Sequence, residues 1–402
     1  MILPCRIRQG RNRVDSLPLA LLFAALLALQ TAHTRGQDAV AGPFEASGAG
    51  WLPAIPIQIT AGVEAGYDDN PVLSNVPEAS WFTRENVVLT YDRPGGATEL
   101  YLLGVGRFSQ FFDVSGQDET AGNVTMGLTH YFSTRLSLYA SVYGAYQTEP
   151  NFQSDVGPEN VRAAYFYTND ILALTYHLTS RLASVTTYTF QRVKYEESTL
   201  GSFQDRFQNT FGEQIQFSLT SRTNLLANYR YEVIDYDTAP TDSTTNYVLG
   251  GFDHHLTEHL VIHALGGEAF RSVEGVGDRA DPYMEGSLGY VSSNHSLTWT
   301  TSYGFEAPNS QGVSVRQTLR TGVVLNWGLT SRINSTTGIY YHHDDNSGAG
   351  TQDSFDLSVG LRYTINKHFT FGLNDAHTTQ GSLGSTPGYS RNRYFAGLTY
   401  TY

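Results

Sequence analysis

Tyr394-Phe-Ala-Gly-Leu-Thr-Tyr-Thr-Tyr402 is the stretch from which the rest of the chain is read. Its even positions, Tyr394, Ala396, Leu398, Tyr400 and Tyr402, are apolar or aromatic, while Gly397, Thr399 and Thr401 between them are small or polar. A period of two is the signature of a strand. One greasy face and one hydrophilic face suit a sheet with lipid on one side and water on the other.

The same alternation appears at the other end of the folded region. Ile57, Ile59, Ala61, Val63, Ala65 and Tyr67 alternate with Gln58, Thr60, Gly62, Glu64 and Gly66, which predicts a first strand with its polar positions facing a lumen. Between these two strands a short polar turn recurs, as in Phe132-Ser-Thr-Arg135, Leu178-Thr-Ser-Arg181, Leu219-Thr-Ser-Arg222, Leu256-Thr-Glu-His259, Ser292-Ser-Asn-His295, Leu329-Thr-Ser-Arg332 and Ile365-Asn-Lys-His368. The basic residues are spaced by 46, 41, 37, 36, 37 and 36 residues, and a fixed period of this size means an array of one supersecondary unit. Each period holds two alternating runs of roughly a dozen residues, long enough to span a bilayer when tilted and longer than the strands of a propeller blade. The unit is therefore one up-and-down hairpin. Counting runs gives an all-β, transmembrane antiparallel up-and-down β-barrel of about 18 strands. The runs 98–112 and 182–195 are apolar on both faces, which leaves 16 as the alternative count.

Connections after even strands are the tight turns. Those after odd strands are longer, such as 68–82, 148–163 and 378–390, and outer-membrane barrels have short periplasmic turns and long outer loops. Arg93, Arg135, Arg181, Arg222, Arg332 and Lys367 fall on the turn side, whereas Asp68, Asp69, Glu149, Asp155, Asp237, Asp242, Asp344 and Asp345 are among the acids of the outer side. An acidic rim can hold divalent cations or bias passage towards cations, but solvated loop carboxylates are the plainer reading.

Arg6, Arg8, Arg11 and Arg13 precede an apolar run from Leu17 to Leu29. This reads as a secretory signal peptide over residues 1–36, cleaved somewhere between 32 and 41, because the run falls short of the about 20 residues a membrane-spanning helix needs. Residues 37–56, with Pro43, Pro53 and Pro56, read as a periplasmic tail, and 57–402 as the barrel. Cys5, the only cysteine, leaves with the signal, so no disulfide framework or cysteine metal site is expected. A mean hydropathy of -0.28 resembles that of a soluble protein, but 26 Tyr and 21 Phe are many for one, and alternation hides a barrel's apolar face from any average. The net charge of -13 becomes -17 once the signal's five Arg and one Asp are removed. So acidic a chain excludes nucleic acid as a partner.

Two resemblances follow. The terminal segment resembles the closing strand of outer-membrane β-barrels, which implies that Tyr394, Leu398, Tyr400 and Tyr402 are read by the barrel assembly machinery before the barrel seals. The first strand and its exit, Gly62-Val-Glu-Ala-Gly-Tyr67-Asp68-Asp69-Asn70, together with the all-hairpin chain over 57–402, resemble the beta-barrel porin 2 family. That resemblance implies an 18-stranded barrel of the Gram-negative outer membrane, in contact with its lipids, and in some members a partner of periplasmic polysaccharide-export proteins.

An 18-strand barrel leaves an aqueous channel unless it is plugged. By alternation the inward positions include Glu64, Tyr139, Tyr143, Asn228, Arg230, Glu232, Arg316, Arg320, Asn326, Asp356 and Arg362. Mixed charges across a pore screen polar solutes, although inward Arg and Glu can equally pair to satisfy a polar interior. His342-His343-Asp344-Asp345-Asn346 has ligand types for a metal, and 344–348 has oxygen donors for calcium, but without a second group at a known spacing a solvated loop is the better reading. No Gly-x-Ser-x-Gly elbow appears, while Ser, His and Asn are abundant enough to leave room for a lipase triad on the barrel wall. The expectation is thus a channel and not an enzyme, needing no cofactor, that passes small polar solutes or serves as the conduit of a polysaccharide export system. The alternatives are a structural or adhesive surface barrel and an outer-membrane hydrolase.

Overall fold

A computed structural model describes residues 57–402 apart from 152–155, 158–160, 309 and 311. The expected signal peptide and periplasmic tail, and Asp155, lie outside the described residues. The strands are β1 (Ile57–Asp68), β2 (Ser80–Arg93), β3 (Thr98–Phe111), β4 (Glu119–Tyr131), β5 (Leu136–Gln147) and β6 (Tyr165–His177). They continue as β7 (Leu182–Tyr195), β8 (Arg206–Ser218), β9 (Thr223–Tyr236), β10 (Ser243–His255), β11 (Leu260–Val273) and β12 (Gly277–Val291). The last six are β13 (His295–Glu306), β14 (Arg316–Gly328), β15 (Ile333–Asn346), β16 (Gly350–Thr364), β17 (Phe369–Gln380) and β18 (Tyr389–Thr401). One short helix, α1 (Ser198–Gln204), lies between β7 and β8.

Every strand is antiparallel to its sequence neighbours, and β1 pairs with both β2 and β18, from Thr60↔Thr401 to Asp68↔Arg393. The sheet is therefore a closed 18-stranded barrel without an edge. The runs 98–112 and 182–195, doubtful by pattern, are β3 and β7. β7 is apolar on both faces because Val185 and Val193 pack inside the barrel while Phe190 and Tyr188 face out.

The recurrent turn has a local cause. The oxygen of its second residue accepts the N–H groups two and three positions on: Thr179 Oγ1 from Arg181 at 3.2 Å and Leu182 at 3.0 Å, Thr330 Oγ1 from Arg332 at 3.2 Å and Ile333 at 3.0 Å, and Asn366 Oδ1 from His368 at 2.9 Å and Phe369 at 3.0 Å. Two connections after odd strands are tight as well, contrary to the expectation of longer loops there. The turns at 274–276 and 347–349 are short because Gly275, Gly277, Gly348 and Gly350 adopt positive φ, which lets the flanking strands run on into the turn. The β12–β13 pairing stops at Met284↔Tyr303, and beyond it β12 projects with β11 as a hairpin bearing exposed Asp278 and Arg279.

Outward aromatics form two belts. Trp81, Phe166, Phe207 and Tyr394 lie towards the longer connections, and Tyr176, Phe217, Trp327, Tyr363 and Tyr400 towards the tight turns, all exposed. Exposed rings in this number around a barrel suit contact with lipid.

Candidate functional site: the lumen and its inward loops

The inward faces of the strands are not uniform along the barrel axis. Near the tight turns Tyr139, Asn228 and Arg362 are half-buried and Asn326 is exposed. Near the longer connections Glu64, Asp68, Arg84, Tyr165, Arg271, Arg316 and Arg391 are all buried. The difference comes from connections that fold into the mouth instead of standing away from it.

The 148–164 connection contributes most. Its Val156 packs among inward Tyr143, Tyr165, Tyr167, Val193 and Tyr195, with Leu200 of α1 against the same cluster. Tyr165 Oη donates to Gln147 at 2.8 Å and lies 3.0 Å from the Glu149 carbonyl. Glu149 then crosses the lumen to β18, where it receives Arg391 at 2.9 Å and Arg393 at 3.2 Å, while Arg162 of its own connection lies 3.3 Å away. Burial raises the pKa of Glu149, but the three guanidiniums outweigh it and hold the carboxyl well below 4.5. Arg162 also reaches Glu119 on β4 at 3.5 Å and donates to the Gln117 carbonyl at 3.0 Å and the Pro71 carbonyl at 3.3 Å. The connection is thereby tied to two stretches of wall on either side of the β1–β18 closure.

A second connection, 307–315, folds in on the far side. Ala307 packs on Ile234 and Tyr236, whose hydroxyl donates to the Pro308 carbonyl at 3.1 Å, and Val315 joins Leu226, Tyr247, Leu249 and Leu265. Arg271 donates to the Glu306 carbonyl at 2.9 Å and stacks over Phe305.

All eleven expected inward residues take the inward register, Asn228 and Asn326 among them. Glu64 (3.9 Å from Arg84), Tyr143, Glu232, Arg316 and Asp356 are buried, whereas Tyr139, Arg230, Arg320 and Arg362 are half-buried. Several are paired. Arg230 grips Glu285 with two bonds, at 2.9 and 2.6 Å, Arg320 pairs with Glu306, and Arg316 lies 3.7 Å from Asp344. Asp356 accepts Thr378 at 2.6 Å, and Glu232 accepts Gln208 at 2.9 Å. Asp68, Glu149 and Asp344, expected at a solvated rim, instead face Arg partners in the lumen. The 342–346 run belongs to β15 and does not open a loop: His342, Asp344 and Asn346 point in while His343 and Asp345 point out, so its donors cannot converge. No group of three or more His, Cys, Asp or Glu placed to hold a metal occurs among the described residues.

Sequence reasoning missed Arg391 and Arg393. The signal was available, since they share the parity opposite to the Tyr394, Leu398, Tyr400 stripe, which the structure turns outward.

No protein-family model matches the sequence, and neither does any curated protein. Among solved structures the barrel is similar to OccK5 (OpdH) from Pseudomonas aeruginosa, with 14% identity over 86% of this chain and 98% of that one and a TM-score of 0.41. It is similar too to OccAB4 from Acinetobacter baumannii, with 11% identity over 87% and 99% and a TM-score of 0.41. The siderophore receptor PirA from Pseudomonas aeruginosa overlaps with 8% identity over 88% and 81% and a TM-score of 0.42. Overlaps as loose as these carry nothing about what this chain binds, and its architecture rests on its own strand pairing.

Proposed function

We propose that the chain is a gated, porin-like channel of the Gram-negative outer membrane, narrowed at its outer mouth by its own inward connections. The observation that carries this reading is Glu149, drawn across the lumen onto Arg391 and Arg393 and held there by charge. A barrel wall of polar inward and apolar outward faces supports a water-filled path, and the half-buried lining near the tight turns supports a vestibule on the periplasmic side. In this reading the cargo is a small polar solute, since the inward connections bury much of the lining at the outer mouth. A role as a polysaccharide-export conduit requires the same connections to be displaced by a partner. Glu64, Tyr139, Tyr143, Arg230, Glu232, Arg316, Arg320, Asp356 and Arg362 are the lining in this reading, and the outward Tyr394, Leu398, Tyr400 and Tyr402 are the stripe presented to the assembly machinery.

Planar-bilayer recording tests the proposal. Glu149→Gln removes the charge that pulls the connection across, so the variant is expected to conduct more, or to open more often, than the parent. Two folded barrels with equal conductance would sink the gating reading, and two that both fail to conduct would sink the channel reading.

A further inference from the structure

Thr379, His377 and Asn392 meet on the outward face of the barrel, away from the lumen. His377 and Asn392 are register partners across β17 and β18, as are Thr379 and Ser390, and all four take the outward parity. Thr379 Oγ1 lies 3.0 Å from His377 Nε2, His377 Nδ1 lies 2.8 Å from Asn392 Oδ1, and Asn392 Nδ2 donates to Asp69 Oδ2 at 2.7 Å. The proton positions follow from the chemistry. A carboxylate only accepts, so Asp69 fixes which end of the Asn392 amide is NH₂ and turns Oδ1 towards the imidazole. An amide oxygen also only accepts, so His377 carries its proton on Nδ1. That leaves the Nε2 lone pair for the Thr379 hydroxyl, which is the arrangement of a nucleophile, a general base and an orienting group. The backbone N–H of Asn392 donates to Asp69 Oδ1 at 2.7 Å as well, so the orienting pair is doubly anchored.

Directly below this relay, towards the tight turns, is an apolar groove of about 700 Å³. It begins one pleat from the relay, at Asp375 and Tyr394, runs down past Leu373 and Leu361, and owes its depth to the small outward side chains Ala65 and Ala396 between larger neighbours. Trp81 flanks it at the level of the outer aromatic belt. In the outer leaflet acyl chains hang from headgroups towards the midplane, so an ester at the level of Thr379 has its chain in the groove.

We propose that this outward site is an acyl-ester hydrolase acting on long-chain esters of the outer leaflet, an activity separate from any passage through the lumen. Thr379 Oγ forms a bond to the ester carbonyl carbon while its proton passes to His377 Nε2. The ester C–O bond then breaks, and the same proton goes to the departing alkoxide. Water next attacks the Thr379 acyl ester and gives a proton to His377, which returns it to Thr379 Oγ as the fatty acid leaves. The exposed Ser390 hydroxyl, 3.5 Å from Thr379 Oγ1, is placed to donate to the developing oxyanion. Asn392 and Asp69 are positioning residues.

The test uses the full barrel in detergent micelles with p-nitrophenyl palmitate and p-nitrophenyl butyrate. Palmitate hydrolysis is expected to fall on the order of 10²-fold or more in Thr379→Val and His377→Ala. Ala396→Phe fills the groove and is expected to cut the ratio of palmitate to butyrate turnover about tenfold. Asn392→Ala is expected to lower kcat with little change in KM. Because a variant can fail to fold, the parent protein is also treated with a p-nitrophenyl alkylphosphonate and digested for mass spectrometry, where an adduct on Thr379 is the expected result. No turnover by the parent, full turnover by Thr379→Val, or an adduct confined to another residue would each overturn the assignment.

Discussion

Arg391 holds two carboxylates at once: Asp68 on the adjoining strand through Nε at 3.0 and 2.9 Å, and Glu149 on a connection 242 residues away at 2.9 Å. All of Asp68 and nearly all of Arg391 are buried; removing one member of a buried pair costs up to about 3–5 kcal/mol where the other is left unpaired, and the remaining Glu149 contact lowers that cost here. Asp68→Ala should therefore lower the urea concentration at which the barrel unfolds, and should do so more than Asp69→Ala, whose partner Asn392 is neutral. Equal midpoints for the two variants would count against the pair as a clasp. For Glu149 the sign of the pH dependence follows from its depressed pKa, to which burial contributes upwards and Arg391, Arg393 and Arg162 more strongly downwards. A free glutamate titrates near about 4.3, so the stabilisation of the docked connection is complete above that value and is lost as pH falls through the lower folded one. Protease cleavage beside Glu149 should accordingly be as slow at pH 5 as at pH 7 and rise only in stronger acid. In Glu149→Gln it should be fast at both.

Among the elements, the tight turns at Ser133, Thr179, Thr220, Thr257, Thr330 and Asn366 are each built around one side-chain oxygen. Thr330 Oγ1 accepts two N–H groups that the turn would otherwise leave to water, and each such bond is worth about 0.5–1.5 kcal/mol net. Thr330→Val keeps the shape and removes the acceptor, so it should destabilise the folded barrel by about 1 kcal/mol in equilibrium urea unfolding, whereas Thr330→Asn, the chemistry Asn366 already uses, should be near neutral. The clasp at the end of β1 works on the same local logic. Asp69 donates its N–H to the Asn392 carbonyl at 3.1 Å, and Asn70 Nδ2 donates to the Ser390 carbonyl at 3.0 Å, so the closure continues two residues beyond the last ladder pair of β1.

The whole molecule is a closed sheet whose stability is shared around a ring, since each strand has two partners and none is an edge. Heating must break that ring as a unit. Unheated protein in detergent should migrate on a gel differently from boiled protein, with a β-rich circular dichroism spectrum before boiling. Identical migration together with solubility in plain buffer would contradict the barrel. Burial of the inward residues near the longer connections and their greater exposure near the tight turns make the two mouths unequal, so in an oriented bilayer impermeant labels should reach a cysteine at Asn326 from the side of the tight turns only.

Legible in the order of residues is what local physics repeats: the period of two that sends Leu398 out and Thr399 in, the Thr-Ser-Arg turn whose hydroxyl caps its own backbone, and hence an up-and-down barrel of 18 or 16 strands and the parity of the lining residues named from it, while the choice of 18 came from the strand pairing. A strand's faces and a turn's cap depend on neighbours a few residues away, and these are readable in order. Which inward residues meet, and which connections enter the lumen, depends on strands far apart in the chain coming together. Glu149 has the same local surroundings whether its connection stands in water or crosses to Arg391, and the choice is made by charges that become neighbours only when β18 closes on β1. The relay of Thr379, His377, Asn392 and Asp69 has the same origin, because Asn392 and Asp69, 323 residues apart, come within 2.7 Å only at that closure.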